Sequence, residues 1–312
     1  MKNITKLCTL IMTLLFAALT VPAGTRGATV SVNCNLSIGP LHSITAALKF
    51  LNPQEPNTLN VSGACKENVV IQSFDRLTLN ASPGASITDV SGGNLDVVDI
   101  IDSQRVSMNG FIVNGGANGV GCLSGSLCRF SGNTIQEAAN RGAFVNNSHA
   151  SFTGDELQDN AGSGLSVIDN GSVTSAGITA QGNFDGITLN TNGLVVVFGA
   201  TIRNNKRFGV FGTTNSTFRC VPCNITGSGS DGVRLAQSST GRFDSFFGAY
   251  SITGNEGAGV RLRDLSFSFF DAGNITGNLG GTDVVCDPQF SATRGALPAS
   301  NIGGGTTNCS EP

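Results

Sequence analysis

Tryptophan is absent from this chain of 312 residues, tyrosine occurs once, at Tyr250, and the only histidines are His42 and His149. Only 12% of the residues are charged, and the formal net charge is −3. No basic run of the kind that binds nucleic acid is present. Because large aromatic side chains form the stacking platforms for sugars, their shortage argues against a long, strongly binding glycan groove. His149 has no nucleophile motif near it and is predicted to be a surface residue.

Long apolar runs are also scarce, and the one that is present lies near the N-terminus, from Leu7 to Leu19. Lys2 and Lys6 flank its start, and the small residues Val21-Pro22-Ala23 follow it. This order predicts a secretory signal peptide over residues 1–23, whereas a membrane anchor would need a longer run. The mature protein is expected to be secreted, periplasmic or extracellular, to have no membrane span, and to carry a net charge of −5.

Eight cysteines remain after this leader, and an even number in an exported chain predicts disulfides. Many pairings are formally open, and nearness in the sequence favours Cys34 with Cys65, Cys122 with Cys128, Cys220 with Cys223, and Cys286 with Cys309. The motif Cys220-Val-Pro-Cys223 would also fit a redox centre or half of a zinc site. No thioredoxin-like pattern surrounds it, so a disulfide at a chain corner is the simpler interpretation.

Glycine is abundant, with 42 residues, and it marks an internal repeat between Asn118 and Val284. About every 22 residues the chain has an Asn, a few small or polar residues, and then Gly with an aliphatic residue. The repeat glycines are spaced 22 to 27 residues apart: Gly119, Gly142, Gly164, Gly186, Gly209, Gly232 and Gly259. Such a period predicts a repeat architecture.

Two apolar rows keep the same period as the glycines. One row is Ile112, Ile135, Leu157, Ile178, Ile202, Ile225, Ile252 and Ile275, and the other is Phe130, Phe152, Val173, Val196, Phe218, Phe243 and Phe267. Three apolar rows per period predict three short strands per coil, with alternation such as Val233-Arg234-Leu235. The sequence therefore predicts an all-β parallel β-helix of about ten coils, rather than leucine-rich repeats or propeller blades.

The repeated asparagines are predicted to be corner residues between strands. Asn tolerates left-handed backbone, and stacked Asn side chains bond to one another in neighbouring layers. The predicted corner residues are Asn140, Asn160, Asn183, Asn205, Asn255 and Asn278. A row of functional asparagines is the alternative.

The two ends of the repeat are predicted to be capped. Thr29 to Val32 is predicted as a strand, and Ser43 is positioned to cap a short amphipathic helix that Pro53 ends. The predicted division is a signal peptide at 1–23, an N-terminal strand and capping helix at 24–57, the parallel β-helix at 58–284, and a disulfide-tied capping loop at 285–312.

The repeat resembles the right-handed parallel β-helix proteins of the pectate-lyase-like superfamily, with Gly-Val-Arg-Leu at 232–235 and 259–262 as typical phrases. The segments 61–70, 286–290 and 301–305 are similar to exported bacterial members. The resemblance implies a right-handed helix and polysaccharide chemistry by lyases, hydrolases or epimerases. For a lyase it also implies Arg as the base and Asp-held Ca²⁺, yet no complete lyase motif matches this sequence. No residue is therefore assigned as a metal ligand.

Asp231, Arg234, Arg261, Arg263 and Asp264 form the main candidate site, with Arg234 and Arg261 in one register of adjacent coils and Arg263 on the same face. An arginine here would act as the base, while Arg263 and Asp264 would bind an anionic glycan. A solvated face with Arg–Asp ion pairs is the alternative. The lone Tyr250 is added as a substrate-binding candidate.

Carboxylates provide a second set of candidates. Asp185 and Asp231 both precede a repeat glycine, two coils or roughly 10 Å apart, which is close to the separation in inverting glycosidases. Ordinary turn chemistry is the alternative. Asp155-Glu156 and Asp169 would offer oxygen ligands to Ca²⁺, although nothing there resembles a dense calcium loop.

Two functional hypotheses follow from these observations. The first is an exported monomer that recognises an extracellular or cell-wall acidic polysaccharide and cleaves it as a lyase or hydrolase. The second is a non-catalytic surface or adhesion protein. The resemblance favours the first hypothesis, whereas the scarcity of aromatic, His and charged residues favours the second.

Overall fold

The structure is a computed structural model that describes residues 27–37, 39, 41–287, 292–293 and 299–309. The predicted signal peptide lies outside the described residues. The described chain forms 32 short β-strands, one helical turn and one 3-10 turn. Successive strands join three different sheets, and every pairing between coils is parallel. The predicted all-β solenoid of about ten coils with three strands per coil is confirmed.

We name the three sheets A, B and C. Sheet A contains β1 Thr29–Asn33, β2 Asn57–Ser62, β5 Leu77–Ala81, β8 Val106–Asn109, β11 Leu127–Ser131, β14 His149–Thr153, β17 Ser172–Ala176, β20 Leu194–Phe198, β23 Thr217–Cys220, β26 Thr240–Phe243, β29 Phe267–Phe270 and β32 Ala292–Thr293. Sheet B contains β3 Ala64–Lys66, β6 Ser86–Thr88, β9 Ile112–Asn114, β12 Thr134–Gln136, β15 Glu156–Gln158, β18 Thr179–Gln181, β21 Ala200–Arg203, β24 Cys223–Thr226, β27 Ser251–Thr253 and β30 Asn274–Thr276. Sheet C contains β4 Val69–Gln72, β7 Val98–Ile101, β10 Asn118–Leu123, β13 Arg141–Asn146, β16 Ser163–Ile168, β19 Asp185–Leu189, β22 Val210–Gly212, β25 Val233–Leu235, β28 Val260–Leu262 and β31 Val284–Cys286.

The repeat glycines are required by close packing between coils. A Cβ on Gly164 would lie 2.7 Å from the Asn183 side-chain nitrogen and 2.8 Å from the Gly186 carbonyl oxygen. Gly232 would meet the Gly259 carbonyl oxygen at 2.7 Å in the same way. Neither Gly164 nor Gly232 has a positive φ, so the missing side chain, rather than backbone freedom, explains this row.

The interior of the solenoid is filled by apolar rows from all three sheets. Phe130 stacks on Phe152 with ring centroids 4.8 Å apart, and Phe218 is fully buried, as expected for an inward row. Three predicted members of the rows are wrong. Val196 pairs with Arg219 on the outer side of sheet A, and Phe267 is 38% exposed. A slip of one residue along a strand moves a side chain to the opposite face.

The third wrong member belongs to the row in sheet B. Ile112 is 37% exposed, whereas its neighbour Val113 is fully buried and pairs with Ile135. Ile178 is buried, but it precedes β18, where Ala180 takes the inward place opposite Leu157. Two adjacent apolar residues such as Ile112-Val113 make the register ambiguous from the sequence, because alternation alone does not say which one faces inward.

An asparagine ladder runs between sheets B and C, as predicted for the corner residues. The side-chain amide of Asn160 donates to Asn183 at 2.9 Å, and that of Asn183 donates to Asn205 at 3.3 Å. Asn255 donates to Asn278 at 2.9 Å in the same arrangement. These side chains also accept backbone N–H groups of the preceding coil, so the ladder satisfies buried polar groups that a turn leaves open.

Two details of the corner prediction are wrong. The left-handed residue is the one that precedes the ladder asparagine, such as Asp159 with φ 54° and Asn204 with φ 53°. Asn140 is exposed. In its coil Ala138 holds the ladder position, because the Ala138 backbone N–H is the group that donates to the Asn160 side chain. Asn140 therefore lies outside the ladder, two residues beyond the corner.

Four disulfides connect the cysteine pairs that nearness in the sequence favours. Cys220 and Cys223 are joined to each other, so this motif is a disulfide at a chain corner.

Near the N-terminus, α1 spans Ile44–Leu48, with Ser43 as its N-cap, and the 3-10 turn spans Ala299–Ile302 near the other end. A cap role for α1 and for the C-terminal segment, and the predicted domain boundaries, stay predictions. Among the described residues, no helix is long and apolar enough to cross a membrane.

Candidate functional site

The outer face of sheet C carries most of the sequence-predicted site residues. One outward row precedes the repeat glycines, and it contains Asn118, Arg141, Ser163, Asp185, Phe208 and Asp231. The next outward row contains Asp99, Gly121, Phe144, Ser166, Thr188, Phe211, Arg234 and Arg261. The parallel register brings residues about 22 positions apart in sequence to neighbouring places roughly 4.8 Å apart.

Arg234 and Arg261 pair in register, as expected, and both bind one carboxylate. Arg234 contacts Asp231 at 2.7 Å and Arg261 contacts it at 3.0 Å. Asp231 is only 1% exposed, and its other oxygen accepts the backbone N–H of Ala258 at 2.9 Å. This part of the predicted site is therefore a closed network of ion pairs and hydrogen bonds.

The two other members of the predicted cluster lie beside this network. Arg263 binds Asp287 at 2.6 Å, and Asp287 also lies 3.7 Å from Arg261. Asp264 is an exposed turn residue with φ 51°, and it forms no ion pair among the described residues. The structure brings the arginines together but leaves none of the three without a carboxylate partner.

Asp185 and Asp231 lie in the same row two coils apart, as the repeat predicts. Asp185 accepts from the Arg207 guanidinium at 2.9 Å and from the Phe208 backbone N–H at 3.2 Å, and it is only 3% exposed. An acid–base role for this pair stays a prediction. Both carboxylates are occupied by arginines, which favours a role as anchors for those side chains.

Tyr250 is wrong as a substrate-binding residue, because its side chain is fully buried. Its hydroxyl lies 2.9 Å from the Asp271 carbonyl oxygen and 2.7 Å from that of Asn301. Burial raises the pKa of this hydroxyl. Tyr250 instead fixes the last described coil to the 3-10 turn.

The acidic residues proposed for Ca²⁺ near Asp155 face different directions. Asp155 is 1% exposed and accepts hydrogen bonds from Asn133 and Thr153, and burial raises its pKa to about 6. Glu156 points outward from sheet B and bonds to Gln181. Adjacent strand residues point to opposite faces, so these two carboxylates cannot hold one ion.

The remaining candidates also fail to form a metal site. Asp169 accepts a hydrogen bond from Asn146 at 2.9 Å, and His149 is exposed on sheet A. One group of three potential metal-ligating side chains occurs in the described chain, made by Cys34, Cys65 and Glu67. Cys34 and Cys65 are joined in a disulfide, so they provide no thiolate for a metal.

A groove of about 370 Å³ lies on the middle coils of sheet C. Its floor carries hydroxyl groups of Ser163, Ser166 and Thr188, and Ser163 and Thr188 are 2.9 Å apart. Arg141 and Arg207 line it three coils apart, with Ser163 and Asp185 on the two coils between them. We call this cavity the groove.

The two arginines of the groove differ in their partners. Arg207 is bound to Asp185 and stacks on Phe184, with its guanidinium carbon 4.7 Å from the ring centroid. Arg141 stacks on Phe144 at 4.4 Å and forms no ion pair or side-chain hydrogen bond among the described residues. Burial lowers the pKa of Arg141, and the charge of Asp96 opposes part of that effect.

Sequence reasoning missed Arg141, although a signal was present. Arg141 immediately precedes repeat glycine Gly142, the position that drew attention to Asp185 and Asp231. A cation in a row otherwise made of polar, acidic and aromatic residues was the available clue. That no carboxylate forms an ion pair with it in the described chain could be known only from the register of the coils.

Asp96, Asp99 and Asn118 lie just beyond the groove, toward the N-terminal coils. The Asn118 side-chain amide donates to both Asp96 oxygens at 2.9 and 3.0 Å. Burial and the neighbouring Asp96 raise the pKa of Asp99 to about 7. Oxygen atoms of carboxylates and amides are the ligands that hard cations such as Ca²⁺ prefer, so this donor set fits the ion that the resemblance implies for a lyase.

Comparison with known proteins agrees with this architecture. The family model described as "Right handed beta helix region" matches residues 96–244, just under half of the chain. The chain is therefore a right-handed parallel β-helix protein. No curated protein matches the chain in sequence.

Similar solved structures include a pectate lyase, Pel9A, with 14% sequence identity and a TM-score of 0.57 over 89% of this chain and 79% of that chain. Another is the A-module of mannuronan C-5 epimerase AlgE4 from Azotobacter vinelandii, with 11% identity and a TM-score of 0.55 over 82% of this chain and 91% of that chain. The protein shares the parallel β-helix fold of these two structures. Identities this low establish the fold alone.

Proposed function

We propose that this protein binds an acidic polysaccharide in the groove on the outer face of sheet C. The observation that carries the proposal is the Arg141 guanidinium, which faces the groove without a carboxylate partner among the described residues. A partly buried cation has lost hydration, and a ligand carboxylate would restore a charge-assisted, bidentate partner. A uronate polymer supplies one such carboxylate per acidic sugar.

The surroundings of Arg141 support a sugar ligand rather than a simple anion. Hydroxyl groups of Ser163, Ser166 and Thr188 offer donors and acceptors that match sugar hydroxyls. Phe184 is 41% exposed at the edge of the groove and offers an apolar ring to the face of a pyranose. The groove thereby combines one cation, several hydroxyls and an aromatic edge.

Cleavage by β-elimination is the activity that this arrangement would support. A base takes the proton beside the sugar carboxylate, the bond to the leaving oxygen breaks, and that oxygen takes up a proton. One product has an unsaturated end and the other a new hydroxyl end. Arg141 would assist this step by pairing with the sugar carboxylate, because neutralising that charge makes the neighbouring proton easier to remove and because the other arginines of this face are held by carboxylates.

Export remains part of the proposal. Four disulfides are the feature that supports it, because disulfides persist in oxidising compartments. The likeness to a pectate lyase and a mannuronan epimerase supports a polysaccharide as the ligand, since those proteins are named for acidic polymers.

Titration of the purified protein with polygalacturonate, alginate and a neutral glucan tests the binding proposal. Arg141→Ala is expected to weaken binding of the acidic polymer about tenfold or more, because a charge-assisted contact is lost. Arg129→Ala is the matched control, since Arg129 is exposed on sheet A and forms no ion pair among the described residues. Equal losses in both variants would mean nonspecific attraction and would contradict the groove assignment.

The activity is tested separately on the same polymers. Ultraviolet absorbance reports unsaturated ends, and a reducing-sugar assay reports hydrolysis. Unsaturated ends that disappear in Arg141→Ala would support a lyase. Binding without products on any polymer would favour the second hypothesis, a non-catalytic surface or adhesion protein.

A further inference from the structure

Two acidic residues and one amide meet above a glycine at the N-terminal end of the groove. Asp99 lies on β7, Asp96 precedes that strand, and Asn118 begins β10 on the next coil. The β7–β10 register places Gly121 opposite Asp99, and the Asn118 backbone N–H donates to Asp96 at 3.0 Å. We call these three side chains the Asp96 cluster.

Two oxygen atoms of the cluster are buried without a hydrogen-bond partner: Oδ1 of Asp99 and Oδ1 of Asn118. Asn118 is only 7% exposed, and the bonds from its nitrogen to Asp96 fix which side of the amide faces the carboxylate. Turning the amide over would place two acceptors against each other. A buried acceptor without a partner destabilises a protein. A positively charged ligand would remove this cost for both oxygens.

Glycine at position 121 lets both carboxylates approach the backbone of β10 closely. A Cβ on Gly121 would lie 2.5 Å from Asp99 Oδ1 and 3.4 Å from Asp96 Oδ2. Both carboxylates therefore converge on the same point of β10, and a side chain at position 121 would displace the Asp99 oxygen. Neither carboxylate forms an ion pair with Lys or Arg in the part of the chain that the structure describes.

A single cation satisfies more of these oxygens than a shared proton does. A proton between Asp96 and Asp99 would occupy one oxygen of each and leave the Asn118 carbonyl without a partner. A divalent cation accepts several oxygen ligands at once, and Ca²⁺ tolerates irregular geometry, with water filling its remaining positions.

We propose that Asp96, Asp99 and Asn118 bind one divalent cation of the Ca²⁺ type. If the groove binds an acidic polymer as proposed above, occupancy also removes negative charge near Arg141, so cation and polymer strengthen each other's binding. The cation site itself does not depend on that proposal, because its evidence is the geometry of the cluster.

Calorimetric titration of the chelator-treated protein with CaCl₂, and separately with MgCl₂, tests the site in the absence of polymer. We expect one ion per chain and a dissociation constant of about 10⁻⁴ to 10⁻³ M, as in weak extracellular Ca²⁺ modules. The midpoint of thermal unfolding should rise with Ca²⁺ because the ion binds only the folded chain.

Three variants distinguish a ligand role from a structural one. Asp99→Asn should weaken Ca²⁺ binding about tenfold or more, whereas Asn118→Asp should tighten it, since a carboxylate replaces a neutral oxygen. Asn118→Asp should also lower the unfolding midpoint in chelator and give a larger rise with Ca²⁺. Glu256→Gln is the charge-matched control, because Glu256 is exposed and lies several coils away, and it should titrate like the wild type.

Two results would overturn the inference. One is a wild-type protein that shows neither heat nor a shift in unfolding midpoint with Ca²⁺ or Mg²⁺. The other is an Asp99→Asn variant that binds like the wild type, together with an Asn118→Asp variant that gains nothing. Normal cation binding with no polymer binding would refute the proposed function alone, so the two failures are distinguishable.

Discussion

At the scale of single residues, the neighbours of a charged side chain decide its role. Arg141 and Arg207 line the same groove and both stack on phenylalanine rings, yet only Arg207 has an acidic partner, Asp185. A paired guanidinium contributes to the scaffold, whereas an unpaired one that is partly buried remains ready for an anionic ligand. This difference is why Arg141, rather than the paired arginines, leads the proposed function.

Asp155 gives a prediction at the same scale. Its carboxyl is buried without a cation, and its pKa is raised from 3.8 to about 6. A raised folded-state pKa means that the folded form prefers the protonated acid. Its contribution to stability is complete below about pH 4 and is lost as the pH rises through about 6.

We therefore compare unfolding free energies of the wild type and Asp155→Asn in urea at about pH 4 and about pH 7. The wild type should lose up to about 3 kcal/mol more than the variant over this range, because Asn does not titrate. Other acidic groups are common to both proteins and cancel in the comparison. An equal pH dependence in the two proteins would show that Asp155 keeps an ordinary pKa.

At the scale of the strand, alternation determines which side chains form the core. In sheet A, β23 turns Phe218 inward and Arg219 outward, whereas β29 turns Phe267 outward. The sheets also differ in the residues that they carry on their outer faces. Sheet C turns its charged and hydroxyl-bearing residues toward the groove, while the asparagine ladder keeps consecutive coils aligned beside it.

Phe218→Ala tests this assignment of faces. Removing the fully buried ring should lower the unfolding free energy by about 3–5 kcal/mol, because a cavity replaces it. Phe267→Ala is the matched control on the outer side of the same sheet. It should lower the unfolding free energy by well under half as much. Similar losses in both variants would contradict the inward and outward assignments.

At the scale of the whole molecule, the charge distribution opposes an acidic ligand except near the groove. The chain has a formal net charge of −3, and long-range attraction of a polyanion is therefore not available. Binding must depend on the local field of the arginines on sheet C, which acts over about one Debye length, roughly 10 Å at 0.1 M salt.

Raising the salt concentration from about 0.05 to about 0.2 M should therefore weaken polygalacturonate binding several-fold. The salt dependence should be shallower for Arg141→Ala, because one cation no longer contributes. Arg129→Ala should retain the wild-type dependence. A polymer affinity that is insensitive to salt in all three proteins would argue against binding through the groove arginines.

Much of the architecture could be predicted from the sequence because a coil repeats its own pattern. The period of the glycines, the alternation in Val233-Arg234-Leu235 and the even number of cysteines predicted the solenoid and its four disulfides. The errors arose where adjacent residues were both apolar, as at Ile112 and Val113, or where a rare residue drew attention, as at Tyr250. In both situations the deciding quantity is which face a side chain occupies.

The sequence by itself determined the fold, because a repeat of about 22 residues with three apolar rows can bury those rows only by stacking coil on coil. Only the tertiary structure decided which arginine is unpaired and which acidic residues meet. Parallel stacking converts separations of about 22 residues into contacts, and a shift of one residue reverses the face. Charge pairing across coils therefore depends on register. For this reason the charges around Asp231 form ion pairs with one another, whereas Arg141 and the carboxylates of the Asp96 cluster form none in the described chain.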